Sequence, residues 1–543
     1  MGRGDMTDRG PAQALRGAGG SLPEALKGLL RAHAYPHPAA SIALIETPIS
    51  WVVLAGQFAY KIKRPVRYPF LDQRSAQRRQ WLCEEELRLN RRFAPELYLE
   101  VCPIVAGDDG ARVCLGATHA QQVLEYAVRM LRFDSEDELD RRLAGGQIAP
   151  ELLETFGRSL ADIHATLAAV AADVPWGQAG SVRALLSENL SECAAAAAQF
   201  ALGERVTALR EPLARRLAEA SPWMTLRRMS GRVRECHGDL HSRNIVVRDA
   251  RLVPFDCLEY EPAFRWIDVA DEVAFLSSDL AAHGYRRHAH AFLAGYLERS
   301  GDYHACRLIK LYEAHRALVR AKVAALTAGP GRSADERAAL GEECERLVAH
   351  ATAALTAVHP RLVLMSGLSG SGKTWLARQI AARLEAVHLR SDIERKRRAG
   401  LNALEHSDSA LSAGLYTGEV SERVYDDLAR DAYDALSGGF AVIVDATLLR
   451  RADRRRFAEL AERAGAAIDL VSCTAPLAVL RERVQARAAA GQDPSEATVD
   501  VLEWQRQRFE PIGPQEPFAR LEIDTSEPQA LERALAGLAL AAR

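Results

Sequence analysis

The sequence predicts two domains, an α+β domain followed by an α/β domain built on a parallel sheet. A chain of 543 residues is too long for one hydrophobic core, since a domain covers ~100–200 residues. The first part of the chain shows a strand–turn–strand pattern followed by a helix, whereas strands and helices alternate from residue 361 onward. Such alternation is typical of parallel sheets, so we expect the two parts to fold differently.

A small sheet with one helix is expected near the N-terminus. The predicted strands cover residues 41–46, 50–55, 58–64 and 97–105. Gly56-Gln57 suits a tight two-residue turn, and residues 75–93 have the spacing of a charged, amphipathic helix. Residues 121–230 are then predicted to be helical throughout.

Two short strands at residues 244–248 and 251–255 interrupt the helical middle of the chain. Helix continues to Leu326, and a Gly/Pro-rich segment then breaks the pattern. The buried strands of the second domain are predicted at residues 361–366, 387–390, 441–445, 467–474 and 521–524. These patterns give a disordered leader at 1–22, a first domain at 23–333, a connecting helix at 334–359 and a second domain at 360–543.

Composition indicates a reduced, cytoplasmic protein. The formal net charge of −2 argues against a protein that coats nucleic acid through its overall charge. A local basic groove that binds nucleic acid is still compatible with this charge. The N-terminus has no apolar core of a secretory signal, and no run of ~18 apolar residues predicts a membrane span. The nine cysteines form no CxxC pair, which favours structural thiols over a metal site.

Two acids and an asparagine form the first group of candidate catalytic and metal-binding residues. Residues 237–244 read HGDLHSRN, and Phe255-Asp256 follows the predicted hairpin. Phosphoryl transfer needs a carboxylate beside the acceptor hydroxyl and a metal ion that bridges the ATP phosphates. Asp239 is the candidate base, and Asn244 and Asp256 supply the hard oxygen ligands that suit Mg²⁺. We therefore expect an ATP- and Mg²⁺-dependent site on this loop.

An upstream lysine is expected to hold the ATP phosphates. Lys61 lies in the middle of the third predicted strand, and Lys63 is the alternative because it shares the same strand face. A glutamate on the following helix would fix this lysine. Glu86 is favoured over Glu84 and Glu85, although a run of three glutamates also suits a solvated helix face.

This arrangement resembles the aminoglycoside phosphotransferase and choline kinase branch of the protein-kinase-like fold. The loop HGDLHxxN has the form found in that branch, and Asp268 stands where the branch has an aspartate that braces the catalytic loop. The resemblance spans roughly residues 35–330 and implies a bilobal, ATP-dependent phosphotransferase. The chain departs from the pattern at two points: no GxGxxG precedes Lys61, and Cys257 follows Asp256 in place of Phe-Gly.

The second phosphate-binding pattern is a complete Walker A sequence, GLSGSGKT, at residues 367–374. It follows a predicted strand and opens a helix, so backbone N–H groups are expected to cradle phosphates at the helix N-terminus. Lys373 would reach the β- and γ-phosphates, and Thr374 would bind Mg²⁺. Further nucleotide contacts are expected from Gly367, Ser369, Gly370, Ser371 and Gly372.

Two acids accompany this loop. Asp445 ends an apolar strand and is a Walker B-like residue that would hold the Mg²⁺ shell or the acceptor side. Asp392 follows the second strand of the domain and is a candidate base for an acceptor hydroxyl. The alternative for Ser391 or Asp392 is a helix N-cap.

Residues 360–543 resemble the group of small-molecule and polynucleotide kinases that includes gluconate, chloramphenicol and 5′-hydroxyl polynucleotide kinases, and so imply a P-loop NTPase fold. In related kinases, the segment corresponding to 480–497 is a lid whose arginines neutralise the transferring phosphate. The resemblance therefore implies that Arg483 and Arg487 bind the nucleotide. A solvated, Arg-rich helix is the alternative.

The two parts together resemble a bacterial bifunctional family of aminoglycoside phosphotransferase-like proteins with an ATP-binding domain. This resemblance implies phosphate transfer to a hydroxyl of a small molecule, either aminoglycoside-like or sugar-like. The acids that would suit a polycationic aminoglycoside are Glu259, Glu261, Asp268, Asp271 and Glu272. Two alternatives remain for the P-loop domain. It is either a regulatory ATP sensor or a polynucleotide 5′-hydroxyl kinase that holds phosphates with Arg395, Lys396, Arg397 and the arginines at 450–456, although such runs also suit a solvated face.

Overall fold

The computed structural model describes residues 22–68, 71–116, 122–329, 331–356, 359–405, 418–490 and 493–540. The leader predicted at residues 1–22 lies outside these ranges except for Leu22. The chain divides into two compact units. Unit 1 comprises the described residues up to Leu152, together with Ile163–Tyr285 and Leu311–Leu355. Unit 2 comprises Leu153–Asp162, Arg286–Lys310 and the described residues from Thr356 onward.

The strands of unit 1 form an antiparallel sheet and short hairpins. They are β1 (Ile42–Glu46), β2 (Ser50–Ala55), β3 (Phe58–Lys63), β4 (Arg67–Tyr68), β5 (Leu71–Asp72), β6 (Tyr98–Gly107), β7 (Gly110–Val113), β8 (Val123–Leu131), β9 (Val233–Glu235), β10 (Ile245–Arg248), β11 (Arg251–Pro254) and β12 (Trp266–Asp268). The main sheet has the order β1-β2-β3-β8-β6-β7. Lys61 therefore lies inside the sheet, opposite Val52 on β2 and Val128 on β8.

The helices of the described chain are α1 (Ala76–Asn90), α2 (Leu139–Ala144), α3 (Pro150–Thr166), α4 (Ala179–Ala197), α5 (Gly203–Thr207), α6 (Arg210–Met229), α7 (Val269–Ala282), α8 (Arg286–Ser300), α9 (Cys306–Thr327), α10 (Ala334–Leu355), α11 (Lys373–Leu384), α12 (Ser391–Arg398), α13 (Gly418–Ser437), α14 (Arg451–Ala464), α15 (Leu477–Ala490), α16 (Val499–Arg508) and α17 (Ala530–Gly537). Ser75 caps α1, since its side chain accepts the Arg78 N–H at 3.2 Å. Leu82, Glu86 and Leu89 lie on the buried face of α1 at helical spacing, which directs Glu86 inward.

Strand β8 corrects the sequence analysis, because a helix was predicted over all of residues 121–230. Residues 123–131 form a central strand between β3 and β6. The side chains of Ala127 and Val128 are both buried although they are adjacent, so the segment lacks the alternation that identifies a half-exposed strand. The segment VLEYAVRML also places Glu125 and Arg129 four residues apart, a spacing that suits one face of a helix as well as a strand.

Unit 2 contains the predicted parallel sheet. Its strands are β13 (Arg361–Ser366), β14 (Val387–Arg390), β15 (Val442–Asp445), β16 (Ala467–Thr474) and β17 (Ala519–Asp524). They pair in the order β14-β15-β13-β16-β17, and each pairing is parallel. The sequence-based bounds differ from the structure only at β15 and β17. The central strand β13 ends where the Walker A residues begin.

Helix α8 packs on the start of the edge strand β14 within unit 2. Arg286 pairs with Glu385 at 2.6 Å, and His290 Nε2 lies 3.0 Å from the carbonyl oxygen of Ala386. Both contacts hold α8 against the residues that directly precede β14. Among the described helices, none is both long enough and apolar enough to cross a membrane.

Candidate active sites

The first candidate site lies on the loop between β9 and β10 of unit 1. The side-chain N–H₂ of Asn244 donates to the backbone oxygen of Asp239 at 2.9 Å and to its Oδ2 at 3.1 Å. The β10–β11 hairpin then returns the chain to this loop, where the Phe255 N–H donates to the Asn244 carbonyl at 2.9 Å. Asp256 follows directly. The structure thus brings the predicted residues Asp239, Asn244 and Asp256 together.

Asp256 is held in an uncommon backbone conformation, with φ of 65°. Its N–H donates to the Tyr98 hydroxyl at 3.0 Å, and the Cys257 N–H donates to Asn90 Oδ1 at 2.9 Å. Its carboxylate accepts a hydrogen bond from Lys61 Nζ, while its side chain remains 44% exposed. Non-glycine residues with positive φ cluster at functional sites, where neighbouring contacts hold them in place.

Glu86 is paired with both of the candidate lysines. Lys61 Nζ donates to Glu86 Oε1 at 2.9 Å, and Lys63 Nζ donates to Glu86 Oε2. Burial opposes the charge of Glu86, but the two lysines lower the pKa of its carboxyl. Glu84 and Glu85 bond to other residues, Glu84 to its own helix and Glu85 to nearby arginines. Lys61 and Lys63, which the sequence analysis treated as alternatives, therefore both pair with Glu86.

Two residues that the sequence analysis did not assign to the loop hold its first residues in place. The buried Glu272 carboxylate accepts the N–H groups of His237 and Gly238 at 2.6 and 3.0 Å, and burial raises the pKa of Glu272 to about 7. Arg316 binds Asp271 through two hydrogen bonds of 2.7 and 2.8 Å and donates to the Gly238 carbonyl at 3.4 Å. No local sequence pattern marks either contact, because both partners come from distant helices.

Asp268, which the resemblance assigns to bracing the catalytic loop, has two other contacts. It binds Arg227 through two hydrogen bonds of 2.8 Å, and both side chains are almost fully buried. Its Oδ1 also accepts the Ala270 N–H at 2.8 Å, which caps the start of α7. Glu272 and Arg316 are the direct braces of the loop.

A histidine and an arginine lie beside Asp239. His241 Nε2 is 3.5 Å from Asp239 Oδ2 and 3.3 Å from Arg320 Nη1. Burial alone would raise the pKa of Asp239, but His241 and Arg320 lower it, so the carboxylate is ionised at neutral pH. Asp279 fixes the next residue by accepting the Ser242 N–H and hydroxyl at 2.9 and 2.5 Å.

The acids expected to hold a polycationic acceptor are engaged inside unit 1. Their partners are Lys63 for Glu259, the Ala263 N–H for Glu261, Arg227 for Asp268, Arg316 for Asp271, and the His237 and Gly238 N–H groups for Glu272. Lys322 on α9 is also paired, with Glu192 at 2.7 Å. Asp268 and Asp271 line a cavity of about 510 Å³ in unit 1, but the carboxylates of both are already bonded to arginines.

The second candidate site is the Walker A loop of unit 2. Gly367, Gly370 and Gly372 have φ values of 144°, 81° and 76°, in the region that favours glycine. A Cβ on Gly367 would lie 2.4 Å from the Cys473 oxygen, and one on Gly370 would lie 2.6 Å from the Leu480 oxygen. The loop is therefore closely packed against its neighbours and needs glycine at these positions. Helix α11 begins directly after it, at Lys373.

The partly buried Lys373 ammonium lies over this loop and donates to the Leu368 carbonyl at 3.0 Å. Burial lowers the pKa of Lys373, while the negative charges of Asp445 and Asp392 oppose that change. Ser371 is 1% exposed, and its Oγ has no hydrogen-bond partner within the described residues. A buried hydroxyl without a protein partner in this loop suits a polar ligand.

Asp445 ends β15 beside Met365 of β13, close to the start of the loop. Its Oδ2 lies 3.3 Å from His388 Nε2. Burial would raise the pKa of Asp445, but the bond to His388 and the charge of Arg390 lower it. Thr374 follows Lys373 in the first turn of α11. The loop and Asp445 thus lie at the carboxyl edge of the sheet, the usual ligand-binding edge of open α/β folds.

Asp392 lies in the first turn of α12. The helix begins at Ser391 and its N-cap residue is Arg390, which makes no side-chain capping bond. Neither Ser391 nor Asp392 is therefore the N-cap that the sequence analysis offered as an alternative. The effect of the Asp392 charge on Lys373 places the two side chains in the same electrostatic environment.

The two arginines of α15 have different surroundings. Arg483 donates to Thr525 Oγ1 at 2.8 Å, to the Thr525 carbonyl at 3.0 Å and to the Gly370 carbonyl at 3.3 Å, so it ties the loop to the end of β17. Arg487 Nε and Nη2 are buried without a hydrogen-bond partner among the described residues, and its charge acts on Lys373. Arg487 is therefore the arginine with unused donors near the loop.

Comparisons with known proteins match both regions. The phosphotransferase enzyme family model matches residues 70–309, and an AAA domain model matches residues 362–512. A protein of Mycobacterium tuberculosis, described as uncharacterized, is 30% identical over 456 residues, which cover 84% of this chain and 88% of that protein. Both matched regions belong to phosphotransferase or kinase families, and these families bind nucleotide.

Solved structures resemble the two regions separately. A sugar kinase of Janibacter sp. is 23% identical and covers 34% of this chain and 96% of its own, with a TM-score of 0.27. An amicoumacin kinase in complex with AMP-PNP and Ca²⁺ is 13% identical and covers 57% of this chain and 88% of its own, with a TM-score of 0.35. The match over most of both chains makes this protein a member of the same family as its mycobacterial relative, one that joins a phosphotransferase-family domain to a P-loop kinase domain.

Proposed function

We propose that unit 1 transfers the γ-phosphate of ATP to a hydroxyl group of a small molecule. The observation that carries this proposal is that Lys61, Glu86 and Asp256 converge with the hydrogen-bonded pair Asp239 and Asn244. A cation for the phosphates, oxygen ligands for a metal ion and a carboxylate for the acceptor are the groups that phosphoryl transfer needs. Lys61 would supply the cation, Asn244 and Asp256 the oxygen ligands, and Asp239 the carboxylate.

The donor set suits Mg²⁺, which prefers carboxylate and amide oxygens. Asp256 offers a carboxylate whose side chain is 44% exposed, and Asn244 offers Oδ1 because its Nδ2 is bonded to Asp239. Bound Mg²⁺ would neutralise charge on the transferring phosphoryl group. Thr374 and Asp445 offer the corresponding oxygens in unit 2.

Asp239 would orient the acceptor hydroxyl and take its proton. Because His241 and Arg320 lower its pKa, Asp239 is ionised but only weakly basic. A weak base contributes chiefly by positioning the acceptor oxygen in line with the phosphorus, and it accepts the proton as the new O–P bond forms. Lys61 would hold the α- and β-phosphates after leaving Asp256.

The acceptor we favour is sugar-like and uncharged. Aminoglycosides are polycations, so a site for them needs unpaired carboxylates, whereas the five acids after Asp256 already have partners in unit 1. Re-pairing a buried carboxylate would leave its present cation uncompensated, which is unfavourable. An uncharged hydroxyl compound does not need unpaired carboxylates in its binding site.

For unit 2 we propose a second phosphate transfer. Lys373, with the residues of the Walker A loop, would hold the nucleotide phosphates, and Arg487 would contribute its unused donors to the transferring group. Asp392 would act as the base for the second acceptor. Arg483 would contribute indirectly, because its bonds to Thr525 fix the loop.

The polynucleotide alternative has less support. The arginines at 450–456 that could hold phosphates include Arg450, paired with Asp453, and Arg456, paired with Glu422. Arg454 is fully buried against Glu516. Because these charges are already compensated, we expect no strong, salt-dependent binding of a 5′-hydroxyl oligonucleotide.

Transfer from γ-labelled ATP in the presence of Mg²⁺ tests the proposal. The acceptor panel contains sugars, nucleosides, aminoglycosides and 5′-hydroxyl oligonucleotides, and wild type is compared with Asp239→Ala and Lys373→Ala. We expect a sugar-like acceptor whose labelling requires Asp239, and a different acceptor whose labelling requires Lys373. If only Asp239→Ala has an effect, unit 2 is a regulatory ATP sensor. If an aminoglycoside is the acceptor that Asp239 serves, the preference for an uncharged acceptor is wrong.

A further inference from the structure

Five buried or partly buried charges in unit 1 form a continuous chain of ion pairs. Lys61 joins Asp256 to Glu86 Oε1, and Lys63 joins Glu86 Oε2 to Glu259 Oε1, the last pair at 2.5 Å. Lys63, Glu86 and Glu259 have side chains that are at most 4% exposed. The single lysine–glutamate pair expected from the sequence is therefore doubled.

Lys63 keeps Glu86 paired with a cation when Lys61 moves from Asp256 to a bound nucleotide. Without Lys63, the movement of Lys61 toward ATP would leave Glu86 as a buried carboxylate with a weakened partner, which is costly. With Lys63 in place, Glu86 Oε2 keeps its cation. Helix α1, which carries Glu86, can thus remain in position while Lys61 exchanges partners.

Glu259 extends the same support to the segment that carries Asp256. That segment is already bonded to β6 through Tyr98 and to α1 through Asn90. The Lys63–Glu259 pair adds a buried, charged contact three residues after Asp256. Residues 256–259 are thereby fixed at both ends against β3, α1 and β6.

We propose that Lys63 and Glu259 are positioning residues for phosphate transfer in unit 1. They hold the Asp256 segment and Glu86 in a preassembled arrangement, so that Lys61 is free to exchange between Asp256 and the ATP phosphates. This inference rests on the proposed function of unit 1. It predicts that Lys63 acts through Asp256 and Glu86 and does not itself bind the nucleotide.

The test uses the full chain carrying Lys373→Ala, which removes the P-loop contribution to ATP binding. Lys63→Met and Glu259→Gln are introduced together, so one positive and one negative charge leave the cluster and its net charge is unchanged. The matched control is Lys27→Met with Glu24→Gln, since that pair lies at a similar distance of 2.5 Å but is exposed. Glu259→Gln alone is a milder variant in case the double variant does not fold.

Two quantities are measured. The first is hydrogen exchange of the Asp256 and Cys257 amides without nucleotide, which we expect to accelerate about tenfold or more in the double variant and not in the control. The second is the ratio of ATP dissociation constants without and with Mg²⁺. We expect this ratio to be about tenfold smaller in the double variant than in wild type, because residues that support metal ligands typically have effects of this size on metal binding.

The outcomes separate the inference from the function on which it rests. If wild-type unit 1 binds no ATP, the proposed function fails, and the exchange rates still decide whether Lys63 and Glu259 hold this segment. Unchanged exchange at Asp256 and Cys257 overturns the inference, and so does an unchanged gain from Mg²⁺ where ATP binds. Loss of ATP binding without Mg²⁺ would instead make Lys63 a direct nucleotide ligand, which also contradicts it.

Discussion

Replacing Glu272 by Gln is expected to remove a pH-dependent loss of stability from unit 1. The Glu272 carboxylate is buried and accepts the N–H groups of His237 and Gly238. Burial outweighs these two hydrogen bonds and raises the pKa of Glu272 from 4.5 to about 7. In the unfolded chain the same carboxyl ionises near its ordinary value.

The sign and size of the effect follow from this difference. As pH rises, the unfolded state releases the Glu272 proton before the folded state does, so stability is present at low pH and is lost as pH rises through about 7. At about 1.36 kcal/mol per pH unit, the full loss is about 3.4 kcal/mol. Between about pH 5 and about pH 8 it amounts to about 2.5 kcal/mol.

Urea unfolding of wild type and Glu272→Gln at these two pH values measures the effect. The glutamine side chain does not ionise, so the free energy of unfolding should change less between these two pH values in the variant than in wild type, by about 2.5 kcal/mol. At about pH 5, where Glu272 of the folded wild type is protonated, the variant should be less stable than wild type by about 1–3 kcal/mol, because its amide N–H₂ replaces one hydrogen-bond acceptor. An identical pH dependence in the two proteins would refute the reasoning.

Two further predictions concern unit 2. Arg454→Met should destabilise unit 2 by about 3–5 kcal/mol, because it leaves the buried Glu516 carboxylate without its cation. The control is Arg455→Met at the exposed neighbouring residue, which should destabilise the unit by under ~1 kcal/mol. Thermal unfolding measures both, and equal shifts would contradict the assignment. Arg487→Met should weaken Mg·ATP binding by about tenfold in calorimetry on a Lys61→Met background, the loss of one charge-assisted contact. Unchanged affinity would remove Arg487 from the phosphate site.

The sequence predicted unit 2 more closely than unit 1. Parallel strands that are buried on both faces appear as continuous apolar runs, and β13, β14 and β16 have the predicted bounds. The Walker A loop can also be recognised from its local sequence, because it needs glycine at positions where a Cβ atom would collide with backbone oxygens. At β8 the cause of the error was different: Ala127 and Val128 are adjacent and both buried, and the spacing of Glu125 and Arg129 also suits a helix.

The candidate site of unit 1 could be predicted only in part. The proximity of Asp239, Asn244 and Asp256 could be predicted because their spacing in the sequence is local and specific. The choice between Lys61 and Lys63 could not be made from the strand pattern, because both lysines face the same side and both are used. The partner of Lys63 lies 196 residues away, and no local pattern shows a contact over that separation.

The central claim is that one chain carries two ATP sites of different construction. Equilibrium binding of ATP with Mg²⁺ to the full chain tests this claim most directly. We predict two equivalents of ATP for wild type, one for Lys61→Met, one for Lys373→Ala and none for the double variant. A single equivalent in wild type, or the loss of all binding in either single variant, would contradict the account.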